Sequence, residues 1–206
     1  MSTILYYVHD PMCSWCYGFA PALDRLLERM PEQIRVKRLL GGLAADSDLP
    51  MAVEMREGLQ RTWRRIEERI PGTRFNCDFW SRCEPRRSTY RACRAVIAAR
   101  AQNAALDRAM TAAVQRAYYR EARNPSDRDT LIALAREIGA EPERFATALD
   151  APQTQNRLDL EIAQARAIGV DSFPSLVLDD DGSRWRMPVA YTDADAMLRT
   201  MEQVID

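Results

Sequence analysis

Thr3-Ile4-Leu5-Tyr6-Tyr7-Val8 is a nearly unbroken apolar, β-prone run that leads through His9-Asp10-Pro11-Met12 into Cys13-Ser14-Trp15-Cys16. Such a short run reads as a strand buried on both faces. Beyond the cysteines, Leu23, Leu26, Leu27 and Met30 recur at helical spacing, with Asp24, Arg25, Glu28 and Arg29 on the opposite face. This predicts an amphipathic helix that ends at Pro31. Ile34 and Val36 then alternate with Arg35 and Lys37 before Leu39, Leu40 and the Gly41-Gly42 break, which predicts a second strand. Strand, helix, strand makes a βαβ unit, and the two cysteines sit at its first strand-to-helix junction.

From Pro50 to about Asp150 the chain is rich in Ala, Arg, Glu and Leu at helical period, and no strand pattern interrupts it. Tyr90, Cys93, Val96 and Ile97 share one helical face. Ser126 with Asp129 reads as the start of a helix with Leu131, Leu134 and Ile138 inside, ended by Gly139. Further on, Leu158, Ile162 and Ala165 line a helix ended by Gly169. Ser175 to Leu178 reads as a strand, Asp180-Asp181-Gly182 as a hairpin turn, and Arg184 to Met187 as the return strand. Thr192 with Asp195 is expected to cap a last helix with Met197, Leu198, Met201 and Ile205 inside. The order βαβ, helical block, αββα gives an α/β chain: a thioredoxin-like fold, residues 1–45 and 154–206, with an inserted all-helical domain, residues 46–153.

Composition narrows the function classes. The chain has 206 residues, 47% hydrophobic and 29% charged, with a formal net charge of -1, so no global field draws it to nucleic acid or an anionic membrane. All 29 basic residues but Lys37 are arginine, scattered among acids rather than massed, and they read as compositional bias. No run approaches the roughly 18 apolar residues of a membrane span. Met1-Ser2-Thr3 carries no basic segment or cleavage site of a secretory leader, and five cysteines is an odd count. Both observations point to a reducing, cytoplasmic setting.

A thiolate is the nucleophile of disulfide exchange, and a helix amino terminus offers the free N–H groups and the positive dipole end that stabilise one. Cys13 is therefore the expected exposed nucleophile, and Cys16, one turn inside, the shielded thiol that resolves the mixed disulfide. A zinc site would need about four ligands, and with no second Cys-x-x-Cys and His9 as the sole histidine, no metal is expected. His9 leaves a buried strand toward the reactive loop and is a candidate for proton transfer. Asp10, before Pro11, reads as a turn residue. Trp15 suits either a substrate platform or a partly covered aromatic. Cys77 and Cys83, interleaved with Phe79 and Trp80 behind Phe75, read as ordinary thiols in an aromatic packing loop, with a second disulfide or a lid as alternatives. Cys93 reads as a buried, hydrophobe-like thiol.

Cys13 to Cys16 with Pro21 resembles the active-site helix of thioredoxin-family proteins, and Tyr7 to Phe19 more closely resembles the DsbA-like branch, its cytoplasmic protein-disulfide isomerases in particular. Ser88-Thr89 with Ala92 and Arg94, Ala117-Tyr118-Tyr119 with Glu121, and Gly169-Val170 leading to Phe173-Pro174 are similar to features of that branch and of hydroxychromene-carboxylate isomerases. The resemblance implies a cis bond before Pro174, beside the cysteines, with Phe173 presented to an extended substrate. It also implies a thiol–disulfide oxidoreductase that needs no organic cofactor and acts on protein or small-molecule disulfides and dithiols, glutathione among them. The pattern departs at Tyr7, where thioredoxin and DsbA carry a buried acid. The alternative is a glutathione-dependent isomerase or kappa-class transferase, whose members resemble this chain but typically place serine at the Cys13 position. A helical interaction module on an inert scaffold is the non-enzymatic reading, and the intact cysteine pair opposes it.

Overall fold

The computed structural model describes residues 3–205; Met1 and Ser2, part of the amino-terminal reading, and Asp206 lie outside them. The apolar opening run forms strand β1 (Thr3–His9). It pairs in parallel with β2 (Arg35–Leu40) on one side and antiparallel with β3 (Ser175–Asp180) on the other. β4 (Ser183–Met187) completes a four-stranded sheet of order β2-β1-β3-β4. Alternation along β1 splits its side chains between two cores. Leu5 and Tyr7 join Phe19, Ala22, Leu23 and Leu26 of helix α1 (Ser14–Arg29) and Met197, Leu198 and Met201 of helix α9 (Ala194–Ile205). Tyr6 and Val8 face the other way, toward Leu39, Val170 and Val177.

Between β2 and β3 the chain is helical: α2 (Val53–Arg69), α3 (Phe79–Arg82), α4 (Tyr90–Arg100), α5 (Leu106–Tyr119), α6 (Arg128–Glu137), α7 (Pro142–Asp150) and α8 (Pro152–Ala167). Their shared core is the largest in the protein and takes in Met12 from the loop after β1 and Leu40 from the end of β2. The loop that leads to Cys13 thus lies at the seam between sheet and helices. Gly18 on α1 allows α2 to pack close, since a β-carbon there would sit 2.8 Å from the Ile70 side chain. The hairpin turn forms at Asp181 and Gly182, both with positive φ (46° and 94°), as the tight turn between two antiparallel strands requires.

Three local expectations are corrected. Val36 does not alternate inward but stays 39% exposed, because β2 is an edge strand and only its last two residues are buried. Helix α6 begins one residue later than expected, after Asp127, because the Ser126 hydroxyl donates instead to the Ser88 carbonyl at 3.2 Å. At α9 the capping acceptor is Asp193, whose carboxylate takes the Ala196 N–H at 2.9 Å, rather than Thr192.

Candidate active site

Cys13 is the N-cap of α1, in extended backbone conformation, and its sulfur accepts the Cys16 N–H at 3.4 Å. One of the orphan N–H groups at the helix start is therefore aimed at this sulfur. Cys16 lies within the first turn and is fully buried. Burial first, then its contact with Cys13, pushes the Cys16 thiol well above the ordinary cysteine range. Cys13 is not the openly exposed residue expected from sequence: 6% of its surface remains accessible. What covers it is the segment before β3. The Cys13 thiol lies 3.6 Å from the carbonyl oxygen of Phe173, and the Phe173–Pro174 peptide is cis. The Phe173 ring lies against Gly41, where a β-carbon would fall 2.0 Å from a ring carbon, which explains glycine at the end of β2.

Trp15 projects beside the pair, half-buried against Tyr191 at 5.2 Å between ring centroids, with the Arg65 and Arg69 guanidinium groups over it at 5.3 and 5.9 Å. Ser14 is fixed underneath by the indole N–H of Trp63 at 3.0 Å. A cavity of about 340 Å³ opens at Cys13, floored by Met12, Met51, Leu59 and Tyr118.

Beneath the cysteines lies a polar layer that the sequence reading largely missed. Tyr7 occupies the position where thioredoxin and DsbA carry a buried acid, and its hydroxyl interacts electrostatically with Cys16. Burial and the neighbouring Cys16 hold that hydroxyl protonated, well above the ordinary phenol range. The Tyr7 ring stacks on His9 at 4.8 Å with 3° between planes. His9 is fully buried, and its Nε2 lies 3.2 Å from the Arg38 guanidinium, which can only donate. Nε2 is therefore the acceptor and Nδ1 carries the proton. Burial, Arg38 and Arg100 keep the ring neutral, well below the usual histidine range. Among the described residues no hydrogen bond joins His9 to either thiol.

Asp10 is more than a turn residue. Its Oδ1 accepts the Met12 N–H at 2.8 Å, and its Oδ2 accepts the Leu43 N–H and the Thr89 hydroxyl, both at 2.7 Å, and the Cys93 thiol at 3.4 Å. Burial raises the carboxyl above its ordinary range while these donors pull it back. The pairing of Asp10 with Thr89 carried no sequence signal beyond the family phrase containing Thr89. Arg38 and Arg100 are likewise internal: Arg38 pairs with Asp107 at 2.6 Å, and Arg100 bridges Asp107 and Glu161. Cys77 is exposed and free, the Cys83 thiol donates to the Ala122 carbonyl at 3.1 Å, and Phe79 and Trp80 are buried in the helical core. This is the packing loop expected from sequence.

Among the described residues no helix is long and apolar enough to cross a membrane. The family model for a DSBA-like thioredoxin domain matches residues 4–202. Among solved structures, the cytosolic disulfide reductase DsbM of Pseudomonas aeruginosa is 27% identical, with a TM-score of 0.80 and 98% of each chain covered. Its structure with GSH gives 25% and 0.77 over 98% of each chain. A candidate protein disulfide isomerase of Nitrosomonas europaea shares the fold at a TM-score of 0.86 and 24% identity, over 100% of this chain and 98% of that one. Among curated proteins, the ClpXP adapter protein SpxH of Halalkalibacterium halodurans is 24% identical over 181 residues, 86% of this chain. The chain spans 58% of the length of that curated relative. With a Cys-x-x-Cys pair at a helix start and a family model spanning nearly all of its length, the chain belongs to the DSBA-like thioredoxin domain family.

Proposed function

We propose that the chain reduces or isomerises disulfides in the cytoplasm through Cys13-Ser14-Trp15-Cys16, with Cys13 as nucleophile and Cys16 as resolving thiol. The observation that carries this reading is the placement of the Cys13 sulfur, which meets the Cys16 N–H at the head of α1 and stands 3.6 Å from the Phe173 carbonyl. In reduction, the Cys13 thiolate attacks one sulfur of the substrate disulfide. That bond breaks, a Cys13–substrate disulfide forms, and the first substrate thiol leaves. Cys16 then gives up its proton and attacks the Cys13 sulfur. The second substrate thiol is released, and the enzyme is left two electrons more oxidised as a Cys13–Cys16 disulfide. In isomerisation, a thiol of the substrate itself attacks the mixed disulfide and frees Cys13 instead.

Cys16 is a deeply buried thiol, so its thiolate needs a donor nearby when it forms. The Tyr7 hydroxyl is positioned for that role, and His9 acts through Tyr7 by stacking rather than by touching sulfur. Trp15 and Phe173 flank the substrate, and the backbone edge ahead of Pro174 suits an extended chain. Glutathione is proposed as a thiol that returns the pair to the reduced state. The support is the relative whose structure is described with GSH. The cytoplasmic setting rests on the relative described as cytosolic.

Equilibration with glutathione redox buffers, read by alkylation and mass spectrometry, tests direction. A reductase or isomerase is expected to show a Cys13–Cys16 potential of roughly -180 mV or lower. A value near about -120 mV, that of a strong oxidant, contradicts the proposal.

A further inference from the structure

Three charged side chains line the cavity at Cys13: Arg86, Arg87 and Asp171. Two are accounted for. Arg86 is paired with Asp127, and Asp171 is largely in solvent, 3.9 Å from Arg186. Arg87 is different. It is half-buried, it faces an otherwise apolar cavity floor, and among the described residues no carboxylate or hydrogen-bond acceptor takes its guanidinium. A partly desolvated guanidinium with no partner favours an incoming anion, and its planar fork matches a carboxylate with two parallel N–H donors. The neighbourhood adds positive charge: Arg65 and Arg69, over the ring of the cavity-lining Trp15, also have no carboxylate partner among the described residues, against the one exposed carboxylate of Asp171 in the lining.

We propose that Arg87 forms a carboxylate-binding subsite in the cavity beside Cys13, which selects small disulfides and mixed disulfides that carry a carboxylate close to the reacting sulfur. This rests on the proposed disulfide exchange at Cys13 and adds the substrate class. Arg87 is a specificity residue in this scheme: it positions the substrate's anionic group while the Cys13 thiolate breaks the S–S bond.

Three symmetric disulfides with the same two-carbon arms test it: 3,3′-dithiodipropionate (anionic), 2-hydroxyethyl disulfide (neutral) and cystamine (cationic). The rate at which each oxidises the reduced protein is divided by its rate with free mercaptoethanol, which removes intrinsic reactivity. The normalised order is expected to be anionic, then neutral, then cationic, with the anionic compound about tenfold ahead of the neutral one at low salt, and the lead shrinking in high salt. Arg87→Gln is expected to remove most of that lead, Arg87→Glu to turn the preference toward cystamine, and Arg87→Lys to keep part of it. Equal normalised rates in the unmodified protein overturn the proposal, as does a lead that Arg87→Gln leaves intact. If the variants do not fold, the order and salt dependence of the unmodified protein decide. Failure of all three disulfides to oxidise the reduced protein is a different result, and it refutes disulfide exchange at Cys13 itself.

Discussion

The Thr89 hydroxyl donates to Asp10 Oδ2 at 2.7 Å across 79 residues of chain, joining the loop that leads to Cys13 to the start of helix α4. The same carboxylate also holds the Met12 and Leu43 N–H groups and the Cys93 thiol. Both carboxylate oxygens are taken by buried or half-buried donors. The loop that leads to Cys13 is therefore positioned by the helices between β2 and β3 as well as by the sheet.

Asp10→Asn turns an acceptor edge into a donor edge facing N–H, O–H and S–H groups. It is expected to destabilise the fold by about 3 kcal/mol, and Thr89→Val by about 1.5 kcal/mol. Urea unfolding of the reduced proteins measures both. A loss below about 0.5 kcal/mol for Asp10→Asn would mean that this network does not hold the loop.

Tyr7→Phe removes the hydroxyl beside Cys16 and leaves the ring stack on His9 intact. Resolution of a preformed Cys13 mixed disulfide is expected to slow about tenfold, the equivalent of one good hydrogen bond of about 1.4 kcal/mol. The first attack by Cys13 should change much less. Stopped-flow release of a chromophoric thiol separates the two steps, and equal slowing of both would assign Tyr7 a purely structural part.

His9 sets a pH dependence of known sign. Its folded-state pKa is depressed by burial, Arg38 and Arg100, so the unfolded chain binds the extra proton first as pH falls. Stability is full above about pH 6.5 and is expected to decline below it by up to about 1.4 kcal/mol per pH unit until the folded-state pKa is reached. His9→Gln should flatten that slope between about pH 5 and 6.5. Asp10, raised by burial, contributes the opposite slope at the acid end, so the comparison of the two proteins isolates His9. Identical slopes in the two proteins would show that His9 is not held neutral.

Much of the architecture was legible because it rests on local signals. The run ending at Val8, the stripe Leu23-Leu26, the Gly139 and Gly169 stops and the Asp180-Asp181-Gly182 turn each encode a period or a backbone conformation. The cysteine pair was legible for the same reason, since a strand-to-helix junction shows in sequence. What escaped depends on pairs that only the tertiary fold creates. Asp10 meets Thr89 and Arg38 meets Asp107 across long separations, and Arg87 stands apart from the other unpaired arginines only because the fold sets it in the lining of the cavity at Cys13. His9 is the last residue of β1, but Arg38 on the neighbouring strand takes its Nε2, and nothing in the residues around His9 signals that.

The central claim is the division of labour between Cys13 and Cys16, and trapping tests it most directly. Reduced Cys16→Ser, Cys13→Ser and unmodified protein are each mixed with a disulfide substrate, quenched with acid and mapped by non-reducing peptide mass spectrometry. Cys16→Ser is expected to accumulate a stable mixed disulfide on Cys13, Cys13→Ser to form none at Cys16, and the unmodified protein to pass to the Cys13–Cys16 disulfide. A mixed disulfide that builds up on Cys16 in Cys13→Ser, with none on Cys13 in Cys16→Ser, would contradict the account.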